Sequence, residues 1–176
     1  MQDADILFKM ILTGDEGLIQ NRIIEQLGLI VSEEAFMETI GTDNYILTRI
    51  VDEVKVKISL WVISLDSEFQ QLRKSYYMNA SILVLSIEEY DQDLHSKFEP
   101  IVDEVFSKTG KIPIAIVANT SEKKREVPEL LELAAKLDAS QLILDVENLD
   151  LLEEKMERLI RETLFNTEVG NAPCIL

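Results

Sequence analysis

Apolar residues along this chain alternate between short continuous runs and longer stretches that repeat every three to four positions. Residues 7–12 (LFKMIL) form a run that stops at Thr13-Gly14, the pattern of a buried strand. Leu18, Ile19, Ile23, Ile24 and Leu27 then recur at helical spacing, with Gly28 as a stop. The polar stretch 32–44 reads as a loop. Residues 45–51 and 54–63 read as strands separated only by Asp52-Glu53, hence an antiparallel hairpin. In the second of these, Val54, Val56, Ile58, Leu60 and Val62 share one face and Lys55, Lys57 and Ser59 the other. Residues 69–77 suit a helix and 80–86 a buried strand. A helix around 94–108 precedes a strand at 112–118. Pro128 suits the first position of a helix reaching about residue 137, and 141–145 is a short strand. The last helix places Leu149, Leu152, Met156, Leu159, Ile160 and Leu164 on one face.

Six strands and five helices in this order predict an α/β fold: a six-stranded, mostly parallel sheet with one antiparallel edge strand and helices on both faces. No linker or internal repeat interrupts the pattern, so residues 1–165 read as one domain and 166–176 as a flexible C-terminal tail. With 47% hydrophobic residues among 176, the chain can bury a single continuous core, and composition argues for a packed globule over a disordered chain. Apolar runs such as 82–85 and 112–118 are too short to cross a bilayer, and the N-terminus lacks the pattern of a secretory signal. Acidic residues outnumber basic ones 33 to 17, and the net charge of −16 argues against nucleic acid and anionic lipid as general partners. A single cysteine, Cys174, excludes an internal disulfide and fits a reducing, cytoplasmic setting.

Several motifs then fall into a recognisable order. FKMILTGDEG (8–17) has the form of a first strand opening into a phosphate-binding loop, and ETIGTD (38–43) carries a threonine, Thr39, ahead of the hairpin. A strand ending at Leu60-Trp61 is followed by Phe69 and the pair Tyr76-Tyr77, and Asn119 ends a later strand. In order and spacing the chain resembles a Ras-superfamily small GTPase of the Rab-like branch from about residue 8 to 164. The resemblance implies the G-domain fold, a phosphate loop at Gly14 and Gly17, switch I at Thr39, switch II after Trp61 and a guanine-reading segment from Asn119 to Glu122.

The residues at the chemical positions depart from that pattern. A phosphate loop reads GxxxxGK[ST]: glycines for close approach, lysine for the β/γ oxygens, a hydroxyl for Mg²⁺. Here it reads GDEGLIQN, with Ile19 at the last glycine, Gln20 at the lysine and Asn21 at the hydroxyl. Ile19 disfavours positive φ and is expected to put bulk in the phosphate's path. The WDTAGQE of the family is WVISLDS here: Val62 replaces the acid supporting Mg²⁺, Leu65 the glycine and Asp66 the glutamine that orients water. The NKxD-like segment reads Asn119-Thr120-Ser121-Glu122, and the SAK loop becomes roughly Asp145-Val146-Glu147. Most discrimination for guanine is thereby removed.

Other candidates carry less chemistry. His95 has no motif partner, and the acids Glu88, Glu89, Asp91 and Asp93 read as a solvated face rather than a metal site. Trp61, Phe69, Tyr76 and Tyr77 form a candidate interaction surface; the alternative is that some of them simply pack beneath switch II. Asn44 stands where the resemblance implies a further aromatic. The ending NAPCIL leaves two residues after Cys174, where a prenylation box needs three, and no basic cluster supports a lipid anchor. No catalytic residue, metal set or cofactor is expected. The reading is a pseudo-GTPase that binds a protein partner through the switch-like face; the alternatives are a divergent GTPase holding GTP or GDP with Mg²⁺, and a structural subunit of a larger complex.

Overall fold

The computed structural model describes residues 6–30, 32–88, 93–120 and 127–170, with side chains described except at 28–30, 32–39, 127 and 167–170. Its first strand, β1 (Ile6–Gly14), is buried from Met10 onward because apolar side chains leave it on both faces. After it come α1 (Leu18–Ile30), β2 (Ser32–Thr39), β3 (Thr42–Val51), β4 (Val54–Ile63), a 3₁₀ turn (Ser67–Phe69) running into α2 (Gln70–Tyr76), and β5 (Ile82–Ile87). The chain continues through α3 (Leu94–Thr109), β6 (Ile114–Ala118), α4 (Val127–Lys136), β7 (Gln141–Ile143) and α5 (Leu149–Gly170). The strands pair in the order β2-β3-β4-β1-β5-β6-β7. β1 lies parallel between β4 and β5, and β6 and β7 extend the parallel part. Only β3 runs the other way, pairing antiparallel with both neighbours.

Each face of the sheet carries its own core. Phe8, Met10, Leu12 and Ile58 pack against α1 and α5 through Ile23, Leu27, Met156 and Leu159. On the opposite face Ile11, Leu83 and Ile116 meet Phe98 and Val102 of α3 and Leu130 and Leu133 of α4. Among the described residues no helix is long and apolar enough to cross a membrane.

The α/β architecture is the one the apolar pattern predicts, and all six predicted strands and five helices are present. The sheet has seven strands rather than six, and several boundaries shift. Residues 32–39, expected as loop, form the edge strand β2, whose backbone is paired by β3 along one side only. An edge strand needs no continuous apolar run, so periodicity does not reveal it. The antiparallel strand is therefore second from the edge. α1 passes Gly28 to Ile30, and α5 continues to Gly170, beyond the domain end expected at 165. Cys174 and the rest of 171–176 lie outside the described residues. The hairpin at Asp52-Glu53 forms as expected, with both residues at positive φ (50° and 68°).

Candidate functional site

β1 and β5 run parallel, so the loop after β1 meets the residues after β5 at the C-terminal end of the sheet. Gly14, at φ +127°, lies so close to the β5 backbone that a methyl group there would collide with the Ser86 carbonyl oxygen. Only glycine allows this approach. The contact is then stitched. Asp15 N donates to Ser86 O at 2.9 Å, and the Ser86 hydroxyl donates to Asp15 O at 2.9 Å. Glu88 N donates to the Asp15 carboxylate at 2.9 Å, and Lys97 of α3 forms an ion pair with the same carboxylate. On the other side of β1, the Thr13 hydroxyl donates to Ile63 O at 2.9 Å.

The loop then enters α1 past Gly17, whose Cα faces the Glu88 carboxylate with no room for a methyl between them. Leu18 N donates to Glu88 Oε1 at 3.3 Å, and Glu88 Oε2 is buried without a hydrogen-bond partner among the described residues. Ile19 is 7% exposed and belongs to the same buried cluster as Val62. This corrects the expectation from sequence: α1 has already begun at Leu18, so Ile19 needs no positive φ, and its side chain turns into the core. Gln20 is 8% exposed, and its Nε2 has no hydrogen-bond partner among the described residues. Asn21 is exposed.

The two switch-like segments close on each other. Thr39 ends β2 opposite Thr42 of β3, and its side chain lies outside the described residues. Ile40 and Gly41 make the turn between them, with Gly41 at φ +72°. Ser64 N donates to Gly41 O at 3.2 Å, and the Tyr76 hydroxyl donates to Ile40 O at 3.0 Å. The Phe69 ring packs on Gly41, where an added Cβ would lie 2.7 Å from the ring. The Trp61 ring lies 5.7 Å from that of Tyr76. Its indole N–H donates to Ser59 Oγ at 2.9 Å. Lys9 Nζ sits 3.9 Å from the centre of the Trp61 ring and donates to Met78 O at 3.1 Å.

Tyr77 does not share that surface. It is fully buried in the core on the α3 face, and burial pushes its phenol well above the usual range. Arg73, also buried, holds Glu104 of α3 at 3.3 and 3.4 Å and so fastens α2 to the body of the fold. Trp61, Phe69 and Tyr76 remain partly exposed. They are joined by two side chains that sequence reasoning did not select, Ile40 (70% exposed) and Leu72 (43%).

Asn119 follows the last residue of β6 and is half-buried. Thr120 next to it ties the segment to the end of β7, its N–H and hydroxyl both donating to Leu144 O at 2.9 and 3.1 Å. Glu122 lies outside the described residues. In the following loop Glu147 N donates to the Asp145 carboxylate at 3.1 Å, and Arg22 of α1 reaches Glu147 at 3.0 Å. His95 is half-buried and faces Glu132 of α4 at 3.6 Å, away from all of these groups.

The fold therefore gathers Gly14, Gly17, Gln20 and Asn119 at one end of the parallel strands and the aromatic cluster beside them. A groove of about 1000 Å³, lined in part by Lys9, Trp61, Met78, Lys108 and Pro113, runs from the Trp61 ring to the opposite end of the sheet, where β5 and β6 begin. Sequence reasoning missed Ser86, Glu88 and Lys97. Glu88 sits in an acidic run that reads as solvent-facing, and only the register of β5 beside β1 brings it to the loop.

A glycine loop leaving the central strand of a parallel sheet and opening directly into a helix defines the class of phosphate-loop α/β proteins. Within that class a model of the Ras family matches residues 9–162, and the chain belongs to the Ras family. It is 29% identical over 133 residues to the Ras-related protein Rab-19 of Mus musculus, a match covering 72% of this chain and 59% of that protein. It is 27% identical over 184 residues to the human Ras-related protein Rab-30, covering 97% and 89%. It is 25% identical over 130 residues to the Ras-related protein RABE1d of Arabidopsis thaliana, covering 72% and 60%. The chain thus spans about six tenths of the length of the Rab-19 relative.

Proposed function

We propose that this chain is a Rab-like pseudo-GTPase, a small-GTPase fold that serves as a protein-interaction module in the cytoplasm without binding GTP tightly or hydrolysing it. The observation that carries the reading is Gln20, a neutral and buried side chain at the position where a phosphate loop holds its lysine. The other groups do not fit a magnesium triphosphate either. Val62, at the acid's position, is buried in the core. Asn21 has no hydroxyl, and the Leu18 amide already serves the Glu88 carboxylate. A triphosphate here would meet acids at Asp15, Glu16 and Glu88 with no lysine supplied by the loop itself. Hydrogen bonds involving a charged group contribute about 1.5–3 kcal/mol each, so losing the lysine and the metal supports moves a nanomolar site into the micromolar range.

The partner-binding face of this reading is the partly exposed set Trp61, Phe69 and Tyr76, extended by Ile40 and Leu72. Aromatic anchors of this kind dominate many interfaces. The second reading, a divergent GTPase with GTP or GDP and Mg²⁺, is favoured by the retained Gly14, Gly17 and Asn119. Isothermal calorimetry separates the two. The expected result is a GTP dissociation constant no tighter than high micromolar, with or without Mg²⁺. Submicromolar binding, or guanine nucleotide carried stoichiometrically through purification, sinks the pseudo-GTPase reading.

A further inference from the structure

From the contacts around Gly17 we infer that the Glu88 carboxylate is the built-in anion of the phosphate loop and excludes free phosphate and phosphate esters from it. The inference rests on the proposed loss of tight GTP binding and gives that loss a specific physical cause. A helix that begins in a glycine loop presents unsatisfied N–H groups and the positive end of its dipole to whatever lies before it. In this chain what lies there is a carboxylate of the protein. Leu18 N, at the first position of α1, donates to Glu88 Oε1 at 3.3 Å. The carboxylate presses on Gly17 so closely that any side chain there would have to displace it.

The position of Glu88 is fixed from its own backbone. Its N–H donates to the Asp15 carboxylate at 2.9 Å, and Asp15 is held by Lys97 and by the Ser86 backbone. The loop and the residue that covers it are thus one cross-linked unit. Two buried polar atoms nearby lack hydrogen-bond partners among the described residues, Glu88 Oε2 and Gln20 Nε2. Gln20 is more than nine-tenths buried and occupies the place of the phosphate-binding lysine. A donor left unsatisfied there is available to an anion once the resident carboxylate is removed. While Glu88 is present, an entering phosphate has to displace a tethered negative charge and take over its amide, which makes exclusion the expected behaviour.

The test uses pyrophosphate and GTP with the full chain and its Glu88→Ala and Glu88→Gln variants, each shown to be folded by circular dichroism. Both variants are expected to bind pyrophosphate at least tenfold more tightly than the parent. If Glu88→Ala does not fold, Glu88→Gln, which keeps the shape and removes the charge, decides. A second measurement is independent of ligands: Gly17→Ala is expected to lower the melting temperature of the parent more than that of Glu88→Ala, because its added methyl has to push the Glu88 carboxylate off the Leu18 amide; equal losses in the two backgrounds count against the contact. Pyrophosphate affinity unchanged in the folded variants overturns the inference while leaving the pseudo-GTPase reading intact if the parent still binds GTP weakly. Submicromolar GTP binding by the parent overturns both.

Discussion

Burial of Lys9 beneath the switch region lowers its pKa from the ordinary 10.5 to about 8. The ammonium keeps partial compensation from the Trp61 ring and the Met78 carbonyl. The linkage follows from the direction of the shift. Between pH 8 and 10 the unfolded chain binds the Lys9 proton more fully than the folded one, so this group makes stability rise with pH across that window. Tyr77 acts in the opposite sense at higher pH, because its raised phenol favours the folded state only while protonated, and that advantage is lost above about pH 10. Urea denaturation at pH 7.5, 8.5 and 9.5 is expected to show a component of stability that increases with pH in the parent and is absent in Lys9→Met. Equal pH slopes for the two proteins would refute the assignment. At this scale the sequence identifies which residues are unusual, such as Gln20 and Val62, but not where they go. Ile19 turns inward because α1 presents that position to a core, and Tyr77 does so as the residue that caps α2, facts set by chain geometry rather than by residue type.

Two tight turns test how the elements are joined. The β3–β4 hairpin places Glu53 at φ 68°, a left-handed conformation that costs a side-chain-bearing residue about 1–2 kcal/mol. Glu53→Gly relieves that strain at some entropic cost, leaving a net gain of about 0.5–1 kcal/mol and a melting temperature higher by roughly 2–3 °C. Asp52 is best kept, since both its carboxylate oxygens accept from Arg161 at 2.8 Å and tie the hairpin to α5. Gly41→Ala is expected to do the reverse. Its φ of +72° and the Phe69 ring against it leave no room for a methyl, and a loss of about 2 kcal/mol or more is expected in chemical denaturation. The buried strands, the amphipathic helices and the β3–β4 hairpin are all legible from apolar periodicity, because each buries a regular stripe. β2 is not legible: in its sequence, SEEAFMET, five of the eight residues are polar, and what organises it is the backbone of β3.

Across the whole molecule, protein groups join the switch-like segments directly to each other. Seven residue pairs hold β2 to β3. Tyr76, Phe69 and Ser64 then fasten the turn at Ile40-Gly41 to the segment after β4. A ligand shifts a conformational equilibrium only through unequal affinity for its states. Amide hydrogen exchange in β2, β3 and α2 is accordingly expected to be the same with and without millimolar GTP and Mg²⁺. Protection that changes on adding nucleotide would show a working switch.

The clasp between Tyr76 and the Ile40 carbonyl also bears on the thermodynamics of association. If a partner docks on Trp61 and Phe69 as proposed, it meets two segments already held against each other, so docking requires little folding of this chain. Coupled folding leaves a large negative heat-capacity change, out of proportion to the contact area, and an entropic penalty of about 2–5 kcal/mol. Docking here should instead carry a heat-capacity change set by the buried apolar area alone. Association should proceed at the roughly 10⁵–10⁷ M⁻¹s⁻¹ of preformed protein surfaces. With Tyr76→Phe, which removes the clasp hydroxyl and keeps the ring on the proposed face, the ordering cost is expected to return to the binding reaction, seen in calorimetry as a more negative heat-capacity change.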